Sequence, residues 1–375
     1  MNPVDIAASM LDTVDELVAE VVGPAADAVD AEGRFPTESI AALGDAGLLS
    51  TGVPESHGGC GVGLRLLSQI GRRLGRGCGS TSMIWAMHEV QAATLAAGTD
   101  PGSEAGLALA RVVANQELIA SVTSEAGIGG GLRTSRAPVV DAGAGAISLE
   151  KTAPTVSYGE SAQAYLITAR RDADSAPDDQ VVVFADREHV ELEKLSRWDP
   201  MGMRGTQSPG FVVRVNAPRT RVLDEPFGTL ALAVMVPWSH VLWASAWLGI
   251  AQQAFTITAR AGRKRGREDV RLAEAARMLT QIDASIEDII ARVERSQGVA
   301  GPTALARYND LKISASLLAV DAVVRCLESG GMAAYMERGP SSVARALRDL
   351  YSARLMIDND RLDTTNAAVA ALRWR

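Results

Sequence analysis

Cysteine is scarce in this chain: Cys60, Cys78 and Cys326 are all there is in 375 residues. Their odd number, wide spacing and lack of any Cys-x-x-Cys or Cys/His cluster exclude a disulfide framework and a zinc site, so no metal is expected. Aromatic residues make up 4% of the chain against 47% apolar residues overall. A core short of rings and rich in Ala has to be built by close helix-on-helix packing. Positive charge is also short, with 37 Lys and Arg against 45 Asp and Glu and a net charge of -8. That balance excludes a general nucleic-acid binder, which needs clustered, unneutralised cations. The chain opens with no basic segment followed by an apolar one, and no later run reaches about 18 uncharged apolar residues. A cytoplasmic protein without a membrane partner is the expectation. Internal repeats and low-complexity tails are absent, and the length exceeds one ordinary core, so two or three packed parts are expected.

What is present is a concentration of glycine and short hydroxyls. In Ile119-Ala-Ser-Val-Thr-Ser-Glu-Ala-Gly-Ile-Gly-Gly-Gly131, hydroxyls at Ser121, Thr123 and Ser124 stand beside Gly127, Gly129, Gly130 and Gly131. Exposed backbone and short polar groups together can approach a flat, polar-edged ligand. Two further segments follow, Lys151-Thr-Ala-Pro-Thr-Val-Ser157 and Trp198-Asp-Pro-Met-Gly-Met-Arg-Gly-Thr-Gln-Ser208.

The surrounding periodicity divides the chain in three. From Val4 to about Gly98, apolar residues recur at helical spacing, interrupted at Pro24, at Phe35-Pro36 and by the loop from Pro54 to Gly63. After Leu118, short runs such as Tyr165–Ala169, Val181–Phe184 and Phe211–Val215 read as strands. Beyond Leu230 the helical period returns. Ile282, Ile286, Ile289, Ile290 and Val293 form one amphipathic stripe, Leu311, Leu318 and Val324 suggest another, and Ser296–Pro302 breaks the helix between them. The expected parts are a helical 1–118, a β-rich 119–228 and a helical 229–375.

The three motifs, in this order, resemble the acyl-CoA dehydrogenase superfamily of flavoproteins over essentially the whole chain. Ser124-Glu-Ala-Gly-Ile-Gly-Gly130 stands where that family has Thr-Glu-Pro-Gly-Ala-Gly-Ser, and Lys151–Ser157 where it has a Lys-x-Trp-Ile-Thr-Asn run. The resemblance implies a mainly α fold with a central β-domain: an N-terminal helical domain, a middle β-barrel-like domain and a C-terminal four-helix bundle. It also implies FAD. Ser124 takes the position of a hydroxyl at the flavin edge, Thr123 and Gly129 add backbone contacts, and Gly130 replaces a serine. Ser121, Thr155, Ser157 and Asn359 complete the cofactor set. Ala153 stands where a tryptophan packs on the flavin, which implies a more exposed ring or an enlarged cavity there. Arg265 falls on an arginine that reaches the flavin pyrophosphate across a subunit boundary, although Glu268 and Asp269 replace the family's Phe-Gly. A homo-oligomer, dimer or tetramer, is implied in the same way. Arg204 and Thr206 follow a turn that lies beside flavin and substrate.

The base that family chemistry requires is missing. Removing a proton beside a thioester carbonyl while hydride leaves for the flavin needs a carboxylate raised toward neutral pKa in a dry pocket. In most members it is a glutamate shortly after an Arg-Asp pair. Here Arg348-Asp349 is present, but counting forward puts Ile357 on the glutamate, with Asp358 one residue later and Asp360 three later. At the alternative position on an earlier helix stand Ser239 and His240. His240 is a titratable group near pH 6.5 in its unperturbed form, although a packed core histidine beside Trp238 and Trp243 explains it as well. Asp358 and Asp360 read equally as helix-capping acids. His88 reads either as a pocket residue or as helix packing.

Three functions follow. The first is FAD-dependent oxidation of an acyl thioester, carried by CoA or by an acyl carrier protein, to its α,β-enoyl form, with Asp358, Asp360 or His240 as base. Its electrons go to an acceptor flavoprotein or to O2. The second is a flavin monooxygenase on the same fold, which needs no α-proton base. The third is a scaffold used only for interaction.

Overall fold

The computed structural model describes residues 3–128, 132, 134–264, 268–296 and 301–372. The first part is helical: α1 (Pro3–Leu17), α2 (Gly23–Glu32), α3 (Thr37–Asp45), α4 (Leu64–Gly77), α5 (Gly79–Gly98) and α6 (Glu104–Ala114). Pro24 was expected to separate two helices. Instead a π-turn, Val18–Val22, carries α1 into α2 without a break, and Pro24 sits in the first turn of α2. There the missing proline N–H costs no hydrogen bond.

The middle part holds two sheets. One has the order β1-β4-β5, with β1 (Ile119–Val122) parallel to β4 (Ala164–Arg170) and β4 antiparallel to β5 (Gln180–Asp186). The other is an antiparallel sheet in the order β2-β3-β7-β6, from β2 (Val140–Gly143), β3 (Ala146–Ala153), β6 (Val190–Lys194) and β7 (Phe211–Pro218). β4 and β5 are buried almost throughout, which explains their continuous β-branched and aromatic runs. β3 alternates instead, with every second side chain inward.

The third part comprises α7 (Phe227–Leu230), α8 (Val236–Lys264), α9 (Val270–Ser296), α10 (Pro302–Gly330), α11 (Met332–Tyr335), α12 (Ala344–Leu355) and α13 (Asn359–Ala367). A π-turn, Ala231–Met235, joins α7 to α8 in one continuous rod. By length and composition that rod, Phe227–Arg263, could cross a membrane. Here it is the central helix of the bundle, packed against α4, α9 and α10. Ile282, Ile286, Ile289 and Ile290 are buried as their spacing predicts.

The approach of α4 to α8 explains how a core poor in aromatics closes. A Cβ on Gly75 would lie 2.5 Å from the Ala246 carbonyl oxygen, and one on Gly249 would run into the Arg72 carbonyl. Ser68 and Ser245 hydroxyls meet across the same seam at 2.7 Å.

His88 and Glu89 on α5 tie the helical part to its neighbours. His88 accepts the Ile119 N–H at Nδ1 (3.0 Å) and meets Ser50 Oγ at Nε2 (2.8 Å). It is therefore a packed core histidine. Glu89 accepts the Thr51 N–H and hydroxyl on one oxygen and the Gly52 N–H on the other. Burial pulls His88 down to about 3 and pushes Glu89 up to about 7. These shifts oppose each other in acid. Below pH 6.5 the unfolded His88 binds a proton that the folded one refuses, so stability falls. Between pH 7 and 4.5 the folded Glu89 binds a proton that the unfolded one does not, so stability rises. His88→Gln is expected to gain stability relative to the native protein as pH falls from 7 to 5, and Glu89→Gln to lose it. Urea unfolding at several pH values reads the two slopes, and parallel slopes would refute this account.

Candidate functional site

One cavity of about 1070 Å³ opens where the three parts meet. Its β-side is a wall of hydroxyls: Ser121, Thr123, Ser124, Thr155, Ser157, Thr206 and Ser208 all line it. Ser121 and Thr123 hydroxyls lie 3.1 Å apart, and Ser124 donates to the Thr155 carbonyl at 2.6 Å. Ser124 therefore turns a lone pair, rather than its proton, to any ligand. Thr206 donates to the Met203 carbonyl (2.9 Å) and Ser208 to Ser157 (2.8 Å). Each hydroxyl has one proton, so this chain leaves the Ser157 O–H to donate into the cavity.

Backbone strain occurs on and beside the same wall, which Tyr158 and Met203 line and Gln207 adjoins. Tyr158, Met203 and Gln207 all adopt positive φ, at 44°, 52° and 42°. The Tyr158 N–H donates to the Thr206 and Gln207 carbonyls, and its hydroxyl to the Ile119 carbonyl. Left-handed non-glycine residues persist only where their surroundings over-determine them, commonly at ligand sites.

Under this wall lies a buried ion pair. Lys151 Nζ stands 3.7 Å from Glu125 and donates to the carbonyls of Val122 (3.1 Å) and Thr168 (2.7 Å) and to the Thr168 hydroxyl (2.9 Å). Glu125 in turn accepts the backbone N–H groups of Arg136 and Ala137 and the Ser135 hydroxyl. The charged residues of the two motifs thus hold the sheet edges and do not touch a ligand. Burial lowers Lys151 to about 8.

Apolar elements form the opposite side. α5 presents Met83, Met87 and Gln91, one stripe at helical spacing, and the α7–α8 rod presents Phe227, Leu232, Met235, Ser239, His240 and Trp243. α12 and the turn after it add Tyr351, Leu355, Met356 and Ile357. The Arg-Asp pair fixes this corner. Arg348 binds Asp30 (2.6 Å) and Glu337 (2.7 Å), while Asp349 accepts the Met203 N–H at 2.6 Å. Burial raises Asp349 to about 6. Gly202 lies so close to the Arg348 backbone that no Cβ fits between them.

The candidate bases are not assembled as one group. Ile357, at the position counted to the glutamate, is on the cavity wall with φ 48°. Lys312, fully buried, holds this turn by donating to the Ile357 carbonyl and to Asn359 Oδ1, each at 2.7 Å. Asp358 is exposed at the rim, where its carboxylate accepts the Asp360 N–H and caps α13. Asp360 is exposed and off the wall, and Asn359 faces Lys312 and Ser316 instead of the cavity. His240 does line the cavity, 2% exposed, with burial lowering it to about 4.

Other expectations shift as well. Ala153 is fully buried and off the wall, so it enlarges nothing, whereas Trp198 lines the cavity. Arg204 turns away to Asp30 and Asp199. Gly129, Gly130 and Arg265 lie outside the described residues. Asp186, Glu188 and His189 come together as a metal set would, but Asp186 is already engaged by Arg111 (2.5 Å) and Arg221 (2.9 Å).

Residues 7–106 match the family model for the acyl-CoA dehydrogenase N-terminal domain. With two helical parts around a two-sheet middle and a hydroxyl-walled cavity at their junction, the chain as a whole has the acyl-CoA dehydrogenase fold, and its first part carries that family's N-terminal domain. Among named relatives, it is 29% identical over 187 residues to the putative acyl-CoA dehydrogenase YdbM of Bacillus subtilis, covering 49% of this chain and 48% of that one. The chain thus matches about half the length of that relative. It is 26% identical over 374 residues to L-evernosamine nitrososynthase of a Micromonospora species, covering 93% and 86%. Solved structures with the same fold include butyryl-CoA dehydrogenase from Megasphaera elsdenii (TM-score 0.87, 16% identity, 99% of both chains). Another is KijD3 in complex with FMN and a dTDP-linked amino keto sugar (TM-score 0.85, 23% identity, 98% and 94%).

Proposed function

We propose that this protein is a flavin-dependent monooxygenase rather than a thioester dehydrogenase. The observation that carries the reading is the absence, among the described residues, of a buried carboxylate on the cavity wall. Asp178 and Asp358 line it but are exposed, so neither sits in the dry pocket that such a base needs. Ile357 stands at the position that counting from the Arg348-Asp349 pair assigns to the base. Transfer of one oxygen atom from O2 to an organic substrate, the second leaving as water, needs no such group.

The residues fit a flavin. A flat ring with polar edges needs donors along one side and a dry wall on the other, and the hydroxyl and apolar walls supply them. The volume exceeds the ~300–1,000 Å³ of an ordinary ligand cleft, leaving room for a ring and a second molecule. Ser121, Thr123, Ser124, Thr155 and Ser157 would hold the ring edge, with the Ser157 O–H donating to it. Bound there, reduced flavin supplies the two electrons of oxygen activation, delivered by a separate reductase. The buried apolar side, Met83, Phe227, Met235 and Trp243, would keep water from the reacting atoms. The near-complete alignment with a nitrososynthase and the FMN in KijD3 support this reading, and they support FMN beside FAD as the flavin. Exposed Met332, Tyr335 and Met336 around α11 offer apolar surface for the expected dimer or tetramer.

Anaerobic mixing of the flavin-loaded protein with butyryl-, octanoyl- and palmitoyl-CoA is the test. The flavin band near ~450 nm is expected to persist. After reduction by a flavin reductase and NADH, admission of O2 is expected to return it. Bleaching by a thioester alone would restore dehydrogenation, and Asp358→Asn would then assign or dismiss its base.

A further inference from the structure

Besides the ion-paired Arg348, whose Nε is also unpartnered, three uncharged side chains on the apolar side of the cavity carry polar atoms with no partner among the described residues: Gln91 Oε1, His240 Nδ1 and Trp243 Nε1. Each residue is more than nine-tenths buried, at 5%, 2% and 8% exposure, and each lines the cavity. Gln91 comes from α5, while His240 and Trp243 share one face of α8, their rings 5.9 Å apart. Buried polar atoms are nearly always satisfied, and an unpaired one is costly unless a ligand completes it. An alkyl chain completes none of these.

Their chemistry defines what would. Trp243 Nε1 is a donor only, and Gln91 Oε1 an acceptor. The Tyr308 backbone favours the protonated form of His240, as a carbonyl accepting one ring N–H does. Nδ1 is then left with its lone pair. The set thus offers two acceptors and one donor. The three bring no charge of their own, and the charges elsewhere on the wall are already engaged or exposed: Arg348 is paired with Asp30 and Glu337, Arg361 is not free, Asp178 and Asp358 are exposed, and Lys312 is turned to Ile357 and Asn359. A cationic ligand would find no counter-ion there.

We propose that Gln91, His240 and Trp243 are the specificity-determining residues for the substrate, an uncharged small molecule with at least two O–H or N–H donors and one acceptor. This assignment rests on the monooxygenase reading for what happens to the substrate, but not for its binding. His240 recognises the substrate through a lone pair and is not the proton-abstracting base.

The test uses two probes of one shape, resorcinol and m-xylene, with the flavin-loaded, oxidised protein, so no turnover is needed. Resorcinol is expected to raise the melting temperature of the native protein and m-xylene to leave it unchanged. Gln91→Leu and Trp243→Phe are expected to reverse that preference. Without any probe, both are expected to melt about 1–3 °C higher than the native protein, because an unpaired buried group has been removed. Should Gln91→Leu fail to fold, Gln91→Met serves in its place. Variants that melt lower without a probe, or a native protein that takes m-xylene in preference to resorcinol or takes neither, would overturn the assignment. Thioester bleaching alongside resorcinol selectivity would instead overturn only the oxygenase reading.

Discussion

Lys151→Met is expected to lose about 3–5 kcal/mol of folding stability and, with it, flavin binding, although Lys151 never reaches the cavity. Removing one member of a buried pair strands the other, and the cost is dominated by the uncompensated charge. Here Glu125 would lose its counter-ion and keep only the backbone N–H groups of Arg136 and Ala137 and the Ser135 hydroxyl, and the carbonyls of Val122 and Thr168 would lose their donor. Those carbonyls belong to β1 and β4, the parallel pair whose end carries Ser121 and Thr123. The hydroxyl wall therefore loosens along with the sheet. Urea unfolding measures the stability and absorbance of the retained flavin the binding. Adding Glu125→Gln to Lys151→Met should recover part of the loss, since the stranded charge is gone. A single variant within 1 kcal/mol of the native protein would mean that the pair is not what holds this edge.

Gly249→Ala is the second large effect, expected at about 1–3 kcal/mol or more through overpacking. The new methyl would run into the Arg72 carbonyl of α4, and backbone cannot swing aside as a side chain can. α4 and α8 must separate, and Gly75 against Ala246 shows that no slack exists one turn along the seam. Because α8 also carries His240 and Trp243, ligand affinity should fall with stability. Gly228→Ala, on the same rod with open space around it, is the control. It is expected to be neutral or to gain about 0.4–1 kcal/mol through the unfolded state. Equal losses from the two substitutions would show that helix propensity, and not the seam, governs.

The sequence made the three-part order legible because periods of 3.6 and 2 survive in single stretches, such as Ile282–Ile290 and Val181–Phe184. It missed β3, whose alternating Ala146–Ala153 mixes Lys, Thr and Glu with apolar residues, and it took Pro24 for a helix break because a π-turn leaves no local signature. The hydroxyl cradle was readable, since Ser121, Thr123, Ser124, Thr155 and Ser157 lie in short motifs and do come together. The base was not. Ile357, Asp358 and Asp360 are near neighbours in the chain, yet with Ile357 left-handed, Asp358 reaches only the exposed rim, where it caps α13, and Asp360 lies off the wall. Gln91 escaped notice because burial, not residue type, makes it part of the wall, and Trp198, read as a structural residue at the head of its motif, lines the cavity instead. The stripe Met83, Met87, Gln91 was the available signal: a carboxamide placed among thioethers at helical spacing.

The cavity draws its walls from all three parts of the chain, so whatever fills it acts as mortar between them. By mass action, a ligand at one hundred times its dissociation constant adds about 2.7 kcal/mol to apparent stability. The parts should then melt together when the cavity is filled and drift toward separate transitions when it is empty. With the proposed flavin as that ligand, resistance to a protease is expected to rise on loading, and the cofactor would act as a structural part of the fold.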